Sequence, residues 1–300
     1  MLTAALQHSP HSAKRAGGRE VIENKARSTR RSARHALLES AFVNWRLPGY
    51  LGSLAYRAGR VSPRVAEAIM DLRLDLKTRE GRRIFARLRD VNAPAEVFGL
   101  REYEHPWLDW PSVDYVLDIG AHVGAFTLWV TARSRCHVLA LEPNPSTRRM
   151  LEANVRRQGL GDRVEVRPWA LAGGRGSRSL RPAPDSAATS LVSEMTSGDV
   201  QVDAMDLAGA IVASGFPRID IVKMDIEGAE YEVFESVSSD VLEAPAGWVI
   251  ECHPHPGTAM GSVERALASA GYETAALDKP HGQQLVIARR RVQAPTSHHT

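Results

Sequence analysis

The amino-acid sequence predicts an α/β protein: a mostly parallel sheet with helices on both faces, preceded by a helical cap. Three observations point there. From Asp114 onward, short apolar runs alternate with stretches of helical spacing, as in an open sheet wound from βαβ units. The first of those runs enters a glycine turn, Asp118-Ile119-Gly120-Ala121-His122-Val123-Gly124, from which a helix departs. Before Asp114, apolar residues recur at helical intervals instead.

Taken in order, residues 1–35 form a basic tail. The segments from His35 to Trp45 and from Pro63 to Arg89 read as two or three helices, with Val65, Ala68, Ile69, Leu72 and Leu76 at helical spacing. Pro48, Gly49, Gly52 and Gly59 interrupt the pattern between them. A short strand is expected near Glu96 to Leu100, followed by an aromatic connector holding Tyr103, His105, Trp107 and Trp110. Residues 36–112 thus make a cap and connector, placed to help choose a substrate. The main domain is expected over residues 113–290. Its strands fall at Tyr115 to Ile119, His137 to Glu142, Val164 to Trp169, Ile219 to Asp225, Trp248 to Glu251 and Gln284 to Ala288. Its helices fit Ala125 to Ala132, Pro145 to Gln158, Ala229 to Val237 and Ser262 to Ala270. The stretch from Gly173 to Val202, rich in Gly, Ser, Arg and Pro, reads as an insertion or hairpin outside the alternation, and residues 291–300 as a flexible tail.

Composition narrows the class. Hydrophobic residues make up 43% and charged residues 24% of the 300, which fits a globular chain with a sizeable core. The longest apolar runs, such as Trp248-Val249-Ile250, are strand-sized and far short of the roughly 20 residues of a membrane span. Cys136 and Cys252 stand far apart in apolar stretches, with neither disulfide nor zinc spacing, so buried thiols in a reducing compartment are expected. The first residues lack the apolar core of a secretory signal, and a cytoplasmic location follows. The net charge of +3 is uneven: residues 1–35 carry eight cations against Glu20 and Glu23, so the rest of the chain is net acidic. A basic tail attracts nucleic acid or anionic lipid, or is simply solvated; nucleic acid is not the expected partner. No oligomeric state is read from the sequence.

The glycine turn is the first site signal. Glycine at 120 and 124 lets the backbone approach a ligand and lets strand and helix pack closely. The loop reads Asp-x-Gly-x-x-x-Gly and departs from the Gly-x-Gly-x-x-Gly pyrophosphate fingerprint. An acid two positions before the first glycine suits the ammonium of a methionine moiety, directly or through water, in a contact worth roughly 1.5–3 kcal/mol. Glu142 ends the second strand about 20 residues past the turn, where a carboxylate accepts hydrogen bonds from ribose hydroxyls. Adenosine joined to an amino acid, S-adenosylmethionine, meets both demands; a nicotinamide cofactor and a fold with incidental acids are the other readings. Adenine is expected beyond the third strand, against Trp169, Ala170 and Leu171. The expected cofactor residues are therefore Asp118, Gly120, Ala121, Gly124, Glu142, Asn144 and Ala170.

The acceptor side follows from the fourth and fifth strands. Their ends bring Asp225, Glu227, Glu251 and His253 toward the sheet's ligand-binding edge. Methyl transfer from a sulfonium is an in-line displacement, in which the protein positions an acceptor and excludes water. A hydroxyl acceptor must also lose a proton, and a side-chain base contributes about 10² to 10⁴ in rate. His253 is the first candidate base because its ordinary pKa lies near neutrality; Asp225 is the alternative, or orients the acceptor, and Glu227 belongs to the same set. Asp225 and Glu251, with or without His253, also compose an oxygen-rich magnesium site, although a base without a metal is preferred. Lys223 reaches the same end or neutralises its acidic neighbours.

These residues resemble the FkbM-type methyltransferases. The pattern is carried by Val116-Leu117-Asp118-Ile119-Gly120-Ala121-His122-Val123-Gly124-Ala125-Phe126-Thr127, by Leu141-Glu142-Pro143-Asn144-Pro145, and most specifically by Lys223-Met224-Asp225-Ile226-Glu227-Gly228-Ala229-Glu230. Leu151 with Asn154, Ser190-Leu191, and Val202-Asp203 with Asp206 fit it too. The resemblance spans roughly residues 97 to 290. It implies a class I methyltransferase fold, Rossmann-like with a seven-stranded sheet, S-adenosylmethionine as donor, and methylation of hydroxyls on polyketides, sugars or other natural products. His122 departs from the Asn common in this loop, and is expected to cap the following helix. A small-molecule O-methyltransferase with a hydroxylated acceptor is the leading expectation. A macromolecular methyltransferase acting on RNA or protein through the basic tail, and a non-catalytic S-adenosylmethionine-binding protein, stay open. Asp225-Ile226-Glu227-Gly228 stands where base-directed N-methyltransferases carry Asn/Asp-Pro-Pro-aromatic, which argues against the nucleic-acid reading.

Overall fold

The computed structural model describes residues 33, 36–181, 190–192, 196, 199–255 and 257–291. Ala33 apart, the basic segment 1–35 lies outside the described residues, except that its last position adjoins them, and so do residues 292–300.

The N-terminal part begins with a helix over residues 36–41, which buries Leu38 and Ala41. Helices α1 (Arg46–Gly59) and α2 (Pro63–Met70) follow and pack together, Pro63 opening α2 at a position where a missing N–H costs nothing. The helical expectation for residues 63–89 holds only as far as Met70. An antiparallel hairpin of β1 (Arg73–Lys77) and β2 (Arg83–Arg87) comes next, with Leu74 paired to Ala86 and Leu76 to Ile84, all four buried. Two-residue alternation wins there because it puts those four side chains on one face. The strand expected near Glu96 to Leu100 is instead a single π-helical turn. Val97 and Phe98 are both buried, which adjacent residues of a one-sided strand cannot be.

The aromatic connector is built into the core. Trp110 meets Trp129 edge-on with ring centroids 5.1 Å apart, Tyr103 meets Phe126 at 4.9 Å, and the Trp110 indole N–H donates to the Tyr103 carbonyl at 2.8 Å. This cluster fastens the N-terminal part to helix α3 (Ala125–Arg133).

The main sheet has seven strands, as the resemblance implied. In chain order they are β3 (Tyr115–Ile119), β4 (His137–Leu141), β5 (Val164–Arg167), β10 (Ile219–Met224), β11 (Pro245–Cys252), β12 (Tyr272–Asp278) and β13 (Gln284–Arg290). Across the sheet the order is β12-β13-β11-β10-β3-β4-β5, and β13 alone runs against its neighbours. Side chains alternate between two cores: Val116, Val138, Ala140 and Ile221 face one, and Leu117, Leu139, Leu141, Val222 and Met224 face the other. Both faces are covered, so these strands read as unbroken apolar runs. Helices α4 (Pro145–Arg157), α5 (Leu207–Ser214), α6 (Glu230–Ser236) and α7 (Ser262–Ser269) complete the alternation. The chain leaves β3 toward β4 on one side and returns to β10 on the other, so the order reverses between β3 and β10. Ligands bind at such a reversal.

A second sheet sits beside the first, with order β6-β9-β7-β8 from β6 (Trp169–Leu171), β7 (Gly176–Arg181), β8 (Ser190–Val192) and β9 (Val200–Met205). The expected insertion is therefore a paired hairpin. Cys136 and Cys252 are both buried and free, on opposite faces of the main sheet. Among the described residues no helix is long and apolar enough to cross a membrane.

Candidate active site

The glycine loop lies between the carboxyl ends of β3, β4 and β10. Gly120 N–H and Ala121 N–H both donate to the Leu141 carbonyl, and Asp225 N–H donates to that of Ile119. Gly120 has φ +74°, and a Cβ there would stand 1.8 Å from the Asp225 carbonyl oxygen. Gly124 has φ +88°, and its Cβ would meet Leu151 Cδ1 at 2.6 Å. Both positions require glycine, the first for approach to β10 and the second for packing on α4.

Beneath the loop, Asp118 is completely buried. Thr127 Oγ1 donates to its Oδ2 at 2.5 Å, and Lys223 Nζ lies 3.5 Å from its Oδ1. Burial raises the Asp118 pKa, and Lys223 and Thr127 oppose that. Lys223 Nζ also donates to the Gly120 carbonyl at 2.8 Å and lies 3.8 Å from Asp225 Oδ2. It therefore bridges the carboxylates on either side of the loop. Burial would lower its pKa, but Asp118, Asp225 and Glu251 together raise it.

In front of the loop opens a pocket. Glu142 and Gly120 form one wall, while Trp169, Ala170 and Leu171 with Leu180 and Leu191 form an apolar side. Ala93, from the N-terminal part, lines it as well. The Glu142 carboxylate accepts the His122 N–H at 2.9 Å on one oxygen and the Asn144 N–H at 2.8 Å on the other. Each oxygen keeps a lone pair, so the carboxylate is held in place with acceptor capacity left over. Burial pushes its pKa up to about 7, against the pull of those two N–H groups. An apolar slot ending in a fixed carboxylate fits an adenosine.

At the other end stand Asp225 and Glu227, also in the pocket wall. Behind them His253 is nearly buried, with Nε2 3.4 Å from Glu227 Oε2 and 3.8 Å from Asp225 Oδ1. Its Nδ1 faces Glu230 Oε1 at 3.1 Å. Glu230, fully buried, also accepts the Ile226 N–H at 3.0 Å and the Gly228 N–H at 2.9 Å, folding residues 226–230 into a tight turn. Within that turn Glu227 takes φ +56°, a left-handed conformation that costs a non-glycine residue about 1–3 kcal/mol. Burial would lower the His253 pKa, but the bond to Glu230 and the charges of Asp225 and Glu227 raise it to about 9. Burial likewise pushes Glu227 up to about 8, with Asp225 adding to the rise and His253 opposing it.

A family model described as the methyltransferase FkbM domain matches residues 118–274, just over half of the chain. The chain belongs to the FkbM methyltransferase family. S-adenosylmethionine is accordingly its methyl donor, and the fold is that of the class I methyltransferases. This FkbM chain is 26% identical over 208 residues to the hexuronic acid methyltransferase AglP of Haloferax volcanii, covering 68% of itself and 80% of that protein. It is 25% identical over 195 residues to the methyltransferase sdnD of Sordaria araneosa, covering 54% of itself and 75% of the relative. Among solved structures, EvdMO1 aligns with 19% identity and a TM-score of 0.40, over 66% of this chain and 41% of that one.

The FkbM blocks meet the structure unevenly. Gly120, Glu142 and Ala170 line the pocket, as do Asp225 and Glu227, whereas Asp118, Ala121 and Gly124 are buried and do not. Asn144 caps α4, its Oδ1 accepting from Ser146 N–H at 3.0 Å, and reaches the site only through Glu142. His122 does not cap α3: the N-cap is Gly124, and the His122 ring turns toward Asp90, Nε2 lying 3.7 Å from Oδ1. Glu251 leaves the expected magnesium set because Lys279 Nζ holds it at 2.6 Å; among the described residues, the three whose ligand atoms lie within 4.8 Å of one another are Asp225, Glu227 and His253. Glu230 carries one signal in the sequence, its place four residues after Ile226, from which it closes the turn. Nothing in the sequence singles out Lys279.

Proposed function

We propose that this FkbM enzyme methylates a hydroxyl oxygen of a small molecule, a sugar being the class that fits best, with Glu227 taking the acceptor's proton. The observation that carries it is the Glu227–His253–Glu230 arrangement in the pocket wall. The donor, when bound, presents a methyl group on a positively charged sulfur and needs no further activation. The chain's own residues must then place the acceptor oxygen and remove its proton.

His253 is better suited to hold a proton than to remove one. One ring nitrogen faces Glu230, and the Gln283 amide fits with its oxygen 3.2 Å from the other. A ring with two acceptors and a pKa near 9 is an imidazolium at neutral pH. Glu227 lines the pocket, where His253 does not, and is the carboxylate placed to meet the acceptor's proton. The expectation that His253 is the base thus gives way to Glu227 as base and His253 as the cation that steadies it. Asp225, beside Glu227 in the same wall, orients the acceptor hydroxyl. Glu142 and Ala170 hold the adenosine, and Asp118 keeps the loop in shape through Thr127 and Lys223.

The sugar preference rests on kinship, not on the Lys279–Glu102–Glu251 network, which lies outside the pocket lining. The relative in Haloferax volcanii is itself named for hexuronic acid. A cytoplasmic setting agrees with two buried free thiols. Labelled S-adenosylmethionine offered with a panel of sugars and other hydroxylated metabolites tests the reading. Transfer of label to oxygen supports it, and transfer only to nitrogen, RNA or protein defeats it. Glu227→Gln should lower kcat by about 10² to 10⁴ with donor affinity unchanged; undiminished turnover removes Glu227 as base. A second reading places a divalent ion among Asp225, Glu227 and His253, whose spacing admits one. Loss of turnover after chelation, restored by magnesium, would select it.

A further inference from the structure

Eight of the eleven large apolar side chains exposed among the described residues lie between Val43 and Leu72. Val61 is 89% exposed and Tyr50 67%, values unusual for side chains of this size in a monomer's surface. On α1, Leu47, Tyr50 and Leu54 share one helical face. Arg46, four residues before Tyr50, and Arg57, three after Leu54, flank that stripe. Helix α2 buries none of its residues and adds exposed Val65. Between Val43 and Val65 the sequence holds Arg46, Arg57, Arg60 and Arg64 and no acidic residue. All four arginines are exposed.

We propose that α1, α2 and the turn between them dock on the surface of an anionic phospholipid bilayer. Leucine, valine and tyrosine enter the headgroup boundary, and arginines beside them reach the phosphates, the composition of an interfacial amphipathic helix. A second copy of the chain fits poorly. A two-fold contact sets the patch against itself, bringing four arginines against four, with Glu67 of α2 the one acid on either side. The preceding residues strengthen the preference for lipid: residues 1–35 hold eight Lys and Arg against two Glu, so a basic segment leads directly into the apolar face. The proposal does not depend on which hydroxyl is methylated.

Flotation of the full chain with phosphatidylcholine vesicles, with and without phosphatidylglycerol, tests it. The chain should float with the anionic vesicles, bind them at least about tenfold more tightly than neutral ones, and detach as salt rises. The combined variant Leu47→Ser, Tyr50→Ser, Leu54→Ser should weaken that binding at least about tenfold while S-adenosylmethionine affinity stays unchanged, which shows the fold intact. Absence of flotation, or flotation untouched by the triple variant, overturns the proposal. So does a dimer seen by light scattering that the triple variant dissolves, or RNA binding in place of vesicle binding.

Discussion

At the scale of single residues, the site stores its chemistry in groups held away from their ordinary states. Glu227 is the clearest, with a left-handed backbone and a carboxyl whose charge burial disfavours. Both features cost stability, so Glu227→Gly should raise stability by about 1–3 kcal/mol while turnover collapses. Thermal unfolding beside an activity assay checks this, and a destabilised variant would show that the turn needs the side chain. Glu230 is the complement, satisfying two backbone N–H groups and one imidazole. Its replacement by Gln keeps the shape but removes the charge that raises His253. Turnover should fall, with a smaller loss of donor affinity. Glu142, Asp225 and Glu227 were legible from sequence because strand ends point at one edge of the sheet. The raised pKa of His253 was not, since the carboxylates that raise it come from the start of α6, from β10's end and from the turn between them, and only folding sums them.

At the scale of elements, the legible parts were those whose period admits one reading. The central strands, covered on both faces, are continuous apolar runs, and α4 begins at a proline with an asparagine cap. The hairpin β1–β2 escaped because Leu72 and Leu76, four residues apart, satisfy a helical stripe and a strand face equally well. Edge strand β12 escaped because Tyr272 is its one buried residue, leaving no alternation to read. How elements are tied together was invisible as well. Asn154 on α4 donates to the Phe85 carbonyl at 2.9 Å and to that of Val123 at 2.8 Å, and accepts the Phe85 N–H at 2.7 Å. One side chain thus joins β2 to the glycine loop. Asn154→Leu strands three backbone groups, one buried and two half-buried, so it should cost about 2–4 kcal/mol and weaken donor binding along with stability. A variant that loses stability but binds the donor normally would show that the hairpin does not brace the loop. Gly124→Ala probes the same joint from the other side: with φ +88° and Leu151 in the way, it should misplace the loop and reduce donor affinity at least about tenfold.

At the scale of the whole molecule, four buried groups share one direction. Burial leads the rise of Glu96 to about 7, with Glu102 adding to it, and of Glu142 to about 7 and Glu227 to about 8, while carboxylate partners hold His253 at about 9. Each binds protons more tightly folded than unfolded, so their contribution is complete at mildly acid pH and is lost as pH climbs through these values. Stability of the donor-free protein should fall between about pH 5 and about pH 9. The carboxylates held low, such as Asp199 at about 2, act only in stronger acid. Donor binding should oppose part of this slope. In the proposed site, ribose hydroxyls donating to Glu142 would favour its ionised form, so binding would expel a proton wherever the donor-free group is still protonated. Affinity for S-adenosylmethionine should therefore rise with pH up to about 7 and level off above it. Calorimetry in buffers of different ionisation enthalpy measures that proton directly. With Glu142→Gln the rise should vanish, because the group that carries it is gone; a pH-independent affinity in the unaltered enzyme would show instead that Glu142 is already ionised before the donor arrives.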